Sequence, residues 1–199
     1  TVVFSAHGVS PSVRQQAKER HLKVVDTTCP FVTKVHQAVR RFSDRGLPVV
    51  ILGDPKHVEA KGIAGECGAG QHQIANLRES GELSRISKGQ KIGVVSQTTM
   101  NADEVARQVE ELKKRYDVET MAEVCQATKE RQDAVKRFCS SRLSSSVSGP
   151  FGVLVLGSKT SSNSKRLAEV AEQNGAKAFL AGSLDEVKAI DFSGIGTLG

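Results

Sequence analysis

The sequence predicts an α/β fold of small parallel sheets, and three observations lead there. Short β-branched and aliphatic runs alternate with amphipathic segments of helical period along the 199 residues. The apolar runs are continuous rather than alternating, the mark of strands covered on both faces. Polar, glycine-containing turns follow several of the runs, as they do where a strand passes into a helix.

Taken in order, the expected strands are Val2–Ser5, Leu22–Val25, Val49–Gly53, Ile92–Val95, Val153–Gly157 and Ala178–Leu180, with a last one that includes Ile195. The expected helices are Ser12–Arg20, Phe31–Phe42, Val58–Cys67, Ala102–Tyr116, Lys129–Ser140 and Ser164–Asn174. Each helical segment places its apolar residues three and four apart, so that one face meets a sheet. The serine-rich stretch 140–149 reads as a surface loop.

Composition narrows the function. The net charge is +6, and Lys and Arg lie scattered on helix faces rather than in one block. With no Trp and one Tyr there is little to stack on bases, so nucleic acid is not the expected partner. No apolar run approaches the roughly 20 residues of a membrane span. The modest positive balance suits a small anionic ligand. The four cysteines, Cys29, Cys67, Cys125 and Cys139, contain no C-x-x-C and do not suggest a disulfide scaffold. The first residue is Thr rather than Met, and both ends abut apolar runs. The chain is therefore expected to be a piece of a longer protein.

In open α/β sheets ligands gather where strands end, so the turns after the strands carry the functional reading. "SAHGVS" places His7 before a glycine, and "DTTCPF" places Cys29 before Pro30, a residue suited to the first helical position. A thiol at a helix start has its thiolate stabilised, which favours a metal ligand or nucleophile. "GDPKHVEAKG" sets His57 and Glu59 two residues apart, able to bind an anion and deliver a proton. "SQTTMN" offers Thr98 ahead of Asn101, the expected cap of the next helix. "EVCQATKERQ" opens another helix at a cysteine, Cys125. Finally, "GSKTSSNSKRLAEV" holds six hydroxyl or amide residues in seven positions, Ser158 to Ser164. One or two would cap a helix. The excess points to phosphate oxygens held at a helix N-terminus.

These turns, in this order and across nearly the whole chain, resemble the 4-hydroxy-3-methylbut-2-enyl diphosphate reductases. The resemblance rests on "SAHGVSP", "TCPFVTKVH", the H-x-E of "HVEAKG", "SQTT", "CQATKERQ" and "GSKTSSNSKRLAE". It implies a three-lobed arrangement of small parallel-sheet α/β units around a central iron–sulfur site, with the first lobe truncated. Residues 1–29 would be the remnant of the first lobe, 30–122 the second lobe and 123–199 an incomplete third.

The resemblance also implies an activity: reductive dehydroxylation of (E)-4-hydroxy-3-methylbut-2-enyl diphosphate to isopentenyl and dimethylallyl diphosphate, on a [4Fe–4S] cluster. That is the last step of the methylerythritol phosphate route to isoprenoids. Cys29 and Cys125 would be two of three cluster ligands. His7, His57, Thr98, Ser161, Ser162 and Asn163 would bind the substrate. Glu59 would feed protons, with Thr98 in the same network. Electrons would come from a donor such as ferredoxin or flavodoxin, in a bacterial cytoplasm or a plastid stroma.

The family's first cysteine ligand and a further histidine fall ahead of Thr1, and a last serine falls beyond Gly199. On its own the chain should therefore hold the cluster poorly, and be inactive. Cys67 and Cys139 match no ligand and read as structural, and Val58 stands where many members have Pro. A phosphosugar- or nucleotide-binding module without redox chemistry would explain the hydroxyl turns but leave Cys29 and Cys125 idle. A noncatalytic regulator on the same fold would leave Glu59 idle.

Overall fold

The computed structural model describes residues 1–68, 72–75, 83, 86–144 and 149–199. The chain divides into two compact units, one of Thr1–Thr98 and Asp103–Val124, the other of Thr99–Ala102 and Cys125–Gly199. Every strand pairing among the described residues is parallel, as continuous apolar strands joined through helices require.

The first unit opens with β1 (Val2–Phe4), α1 (Pro11–Glu19) and β2 (Val24–Asp26), and β1 and β2 form a two-stranded sheet. It continues with α2 (Pro30–Asp44), β3 (Val49–Leu52), α3 (Val58–Ala64), β4 (His72–Ala75), β5 (Lys91–Ser96), α4 (Ala102–Lys113) and β6 (Asp117–Met121). Its second sheet has the order β4-β3-β5-β6. β3 is buried at all four positions, which is why its sequence is simply Val-Val-Ile-Leu. α2 buries Val32, Val35, His36, Val39 and Phe42 along one stripe of helical spacing. Val35, Val39 and Phe42 meet Val49, Ile51, Ile63 and Val95 in the core.

The turn before α2 is pinned by Asp26. Its carboxylate accepts hydrogen bonds from the Thr28 N–H at 3.0 Å, from the Thr28 hydroxyl at 2.6 Å and from Arg14 at 2.5 Å. Those bonds, the Thr28 hydroxyl first, hold its pKa down at about 2. A depressed carboxylate stabilises the fold above its unfolded value and loses that contribution as pH falls through the folded one. Because the pair is exposed, solvent screening limits this to about 1 kcal/mol or less. Urea unfolding of the full-length protein should therefore lose up to ~1 kcal/mol between pH 5 and pH 2 that Asp26→Asn does not lose. Equal acid slopes for the two would contradict this.

The second unit comprises α5 (Gln126–Leu143), β7 (Phe151–Leu156), α6 (Ser162–Gln173), β8 (Lys177–Ala181), α7 (Leu184–Lys188) and β9 (Thr197–Leu198), with the sheet order β8-β7-β9. Phe151, Val153, Val155, Ala171, Ala176 and Cys139 form its core.

The expected strands and helices are present, with shifted ends. α5 begins at Gln126, three residues before the expected Lys129, because Cys125 caps it. α3 stops at Ala64, short of Cys67, with Gly65 as its C-cap. The last strand is Thr197–Leu198, while Ile195 lies in the preceding turn. Three elements were not expected: β4, β6 and α7. Part of the expected serine-rich loop, 145–148, lies outside the described residues.

Candidate functional site

Four of the residues singled out from the sequence occupy one kind of position, the N-cap of a helix. Cys29 caps α2, His57 caps α3, Cys125 caps α5 and Ser161 caps α6. Backbone N–H groups without an intrahelical partner point from each such end, with the positive pole of the helix dipole behind them.

In the first unit the structure brings Cys29, His7, His57, Glu59 and Thr98 into one linked set. Pro30 opens α2, and Cys29 donates its backbone N–H to the Ala6 carbonyl at 3.0 Å, tying the cysteine turn to the turn that carries His7. Thr27 adds bonds from its N–H and hydroxyl to the Phe4 carbonyl, at 3.0 and 2.5 Å. His7 and His57 meet edge to face, with ring centroids 5.3 Å apart.

The His57 side chain accepts the Glu59 N–H on Nδ1 at 3.2 Å. An accepting Nδ1 leaves the proton of the neutral ring on Nε2, which is then free to donate. Burial, and then the neighbouring His7, lower the His57 pKa, which favours that neutral form.

Glu59 is 1% exposed. Its Oε1 accepts the Thr98 N–H at 2.6 Å, and the Thr98 side chain adds a second hydrogen bond. Burial raises the carboxyl pKa, and the Thr98 bonds only partly offset it. Such a group keeps its proton nearer neutral pH than a surface glutamate, as a proton donor must. Gln97, fully buried, closes the set: its N–H bonds the Leu52 carbonyl and its Oε1 accepts the Asp54 N–H.

The second unit holds Cys125 and the hydroxyl turn. Cys125 Sγ accepts the Thr128 N–H at 3.3 Å and lies 2.9 Å from the Thr128 hydroxyl. In the hydroxyl turn, local structure accounts for four of the six polar side chains. Ser158 and Thr160 bond each other at 2.8 Å, and Ser161 caps the Ser164 N–H at 3.3 Å. Ser164 is buried so close to Gly157 that a Cβ there would lie 2.2 Å from its hydroxyl, so only glycine fits. Ser162 accepts a hydrogen bond from Thr99 at 3.0 Å. Asn163 Oδ1 is buried with no hydrogen-bond partner among the described residues.

The segment 99–102 also reaches α5, where Gln132 accepts the Ala102 N–H and donates to the Met100 carbonyl, both at 2.9 Å. One segment thus touches both helices of this unit that begin at candidate residues.

The donor chemistry separates the four thiols. Cys29, Cys67 and Cys125 are half-buried and Cys139 is buried, but only Cys29 and Cys125 stand at helix starts. Burial, with Glu66 nearby, drives the Cys67 thiol up to about 12, and burial raises that of Cys139. A helix start favours the thiolate form that metal ligation needs, and of the four thiols Cys29 and Cys125 have that position. Among the described residues no group of three or more His, Cys, Asp or Glu could hold a metal ion. No described helix is long and apolar enough to cross a membrane.

One buried network was not anticipated from the sequence. His36 Nδ1 lies 2.8 Å from Glu66 Oε1, and Arg40 donates to Glu66 Oε2 at 3.0 Å. His36 sits in an otherwise apolar stripe of α2, two turns from Cys29, and that placement was the available signal.

Comparison with known proteins gives consistent results. A family profile described as LytB protein matches residues 1–199. The 4-hydroxy-3-methylbut-2-enyl diphosphate reductase of Acidothermus cellulolyticus is 39% identical over 202 residues, covering 100% of this chain and 57% of that protein. The enzyme of that name from Haemophilus influenzae is 37% identical, covering 100% and 62%. Among solved structures, the E-1-hydroxy-2-methyl-but-2-enyl-4-diphosphate reductase of Plasmodium falciparum superposes with a TM-score of 0.84 at 27% identity, over 98% of this chain and 60% of that one. The chain thus spans roughly three-fifths of the length of the curated relatives it matches, from 57% to 63%.

Proposed function

This chain belongs to the LytB protein family, and on that premise we propose that the protein it is part of reductively removes the hydroxyl of (E)-4-hydroxy-3-methylbut-2-enyl diphosphate. Isopentenyl and dimethylallyl diphosphate would be the products. The observation that carries the reading is Glu59: a buried carboxyl with a raised pKa, at the start of a helix capped by His57 and beside His7.

The reaction breaks an allylic C–O bond and consumes two electrons and two protons, releasing water. Hydroxide leaves poorly, so a proton must reach the oxygen as the bond breaks. Glu59 holds that proton on its carboxyl. The Thr98 N–H and side chain fix the carboxyl's direction and steady the carboxylate left behind. His57, with Nδ1 occupied by the Glu59 N–H, offers Nε2–H to a diphosphate oxygen, and His7 offers its ring beside it. Ser161, Ser162 and Asn163, at the start of α6, are proposed as further diphosphate contacts, where helix N–H groups and hydroxyls substitute for water. Anchoring the diphosphate confines the hydroxyl end, and so lowers the entropic part of the barrier.

Cys29 and Cys125 are proposed as thiolate ligands of a [4Fe–4S] cluster, which when bound supplies electrons and an acidic iron for the oxygen. Two thiolates fall short of the usual complement. The remaining ligand is assigned to the part of the polypeptide outside this chain, because the matched relatives are longer. Ferredoxin or flavodoxin is the proposed electron donor, in a cytoplasmic or stromal compartment.

The test uses the full-length protein, purified without oxygen and supplied with the hydroxylated diphosphate and dithionite. The reading predicts five-carbon diphosphates lacking the hydroxyl, detected by mass spectrometry. Tight binding of the diphosphate with no such product would instead favour a binding module without redox chemistry.

A further inference from the structure

His36 is 3% exposed, and its Nε2 has no hydrogen-bond partner among the described residues. On one side the ring is held by Glu66, whose carboxylate is 2% exposed and braced by Arg40. Such an anchored pair fixes the ring plane, because turning the imidazole would leave the buried Glu66 Oε1 without its hydrogen bond.

The other edge of the ring abuts the turn that carries His7. A Cβ on Gly8 would lie 3.1 Å from His36 Nε2 and 3.1 Å from Val32 Cγ1. Gly8 also has φ of +74°, a conformation that glycine adopts without strain. α3 closes the third side, where a Cβ on Gly62 would lie 3.4 Å from the Gly8 carbonyl oxygen and 3.6 Å from His36 Cε1. At Gly65 a Cβ would lie 2.4 Å from Ser10 Cβ. The ring therefore fills the space where α2, the His7–Gly8 turn and α3 meet. The turn bears His7, and α3 begins at His57 and Glu59.

We propose that His36 is a positioning residue: its imidazole, anchored through Glu66 to Arg40, wedges the His7–Gly8 turn against α3 and so sets where His7 presents its ring beside His57. This rests on the function proposed above, in which both histidines grip the diphosphate. His36 touches no substrate. It acts through His7, so its removal loosens diphosphate binding more than it slows the chemical step.

His36→Asn in the full-length protein is the discriminating variant. The amide nitrogen of Asn can still donate to Glu66 from near the place of Nδ1, while the edge facing Gly8 is gone. KM for the hydroxylated diphosphate should rise by about ten-fold and kcat should change by less than about two-fold, since small displacements of a binding group cost most where it must be placed exactly. His7→Asn alone should also raise KM. In the double variant the two effects should not add, because His36 works only through His7. A purely structural role would give additive effects.

If His36→Asn does not fold, Glu66→Gln serves instead. It keeps an oxygen for Nδ1–H but drops the charge, and KM should then rise about three-fold. Wild-type KM in the variant that folds, or full additivity with His7→Asn, would overturn the proposal. Absence of turnover in the unaltered protein would instead strike the proposed function itself.

Discussion

Glu59→Gln is expected to lower kcat by a factor of about 10²–10⁴, the usual contribution of a positioned acid, with little change in KM. The fold should survive the change. The Gln oxygen can still accept the Thr98 N–H, and its amide can donate to the Thr98 hydroxyl.

Stability supplies an independent check with a definite sign. The Glu59 pKa is raised by burial. A raised carboxyl stabilises the native state fully below its unfolded value, about 4.3, and that contribution is lost as pH rises through the folded one. Above its folded value ionised Glu59 is therefore a cost, and Glu59→Gln should unfold there at the same temperature as the unaltered protein or higher. The difference should shrink as pH is lowered towards 4. In the same account kcat of the unaltered protein falls on the alkaline side, as Glu59 loses its proton. Normal turnover in Glu59→Gln would remove this carboxyl from the proton supply.

Cys29→Ser and Cys125→Ser should each bring turnover of the full-length protein below detection, and should do so without unfolding the helices that follow. Both cysteines are N-caps. Serine is among the preferred N-cap residues, and its hydroxyl can take over the bond that Cys125 Sγ accepts from Thr128. The substitution thus removes sulfur and little else. Cys139→Ala provides the contrast: it opens a small cavity in the core around Val153 and Ala171 but should leave turnover near normal. Loss of turnover in Cys139→Ala comparable to that in Cys29→Ser would contradict the division of the thiols by their place at a helix start.

The parallel strands could be read from sequence because burial on both faces leaves continuous apolar runs, as in Val49–Leu52 and Phe151–Val155. The missed elements lacked that signal. β6 reads Asp-Val-Glu-Thr-Met, an edge strand with polar residues at three of its five positions. β4 reads His-Gln-Ile-Ala, with no continuous apolar run, and α7 has only five residues. α7 did carry a readable mark, the S-x-x-E spacing of Ser183 and Glu186: Ser183 caps the Glu186 N–H, and Glu186 accepts the N–H of Gly182, just ahead of the cap.

The candidate residues stood out because strand ends concentrate unusual side chains. What the sequence could not reveal was how each is held. That Glu59 is buried against Thr98, or that His36 is braced by a glutamate thirty residues on, depends on contacts distant in the chain. Cys125 stood out as a helix start, but the helix was expected three residues late, because a capping cysteine is a weak signal beside Ser or Asp.

The central proposal is that Cys29 and Cys125 hold iron. Its most direct measurement is the iron and acid-labile sulfide bound to the full-length protein purified without oxygen, beside Cys29→Ser and Cys125→Ser prepared in the same way. The account predicts about four of each per unaltered chain, as a [4Fe–4S] cluster requires, and a large loss in both variants. Iron and sulfide retained at the unaltered level in either variant would contradict it.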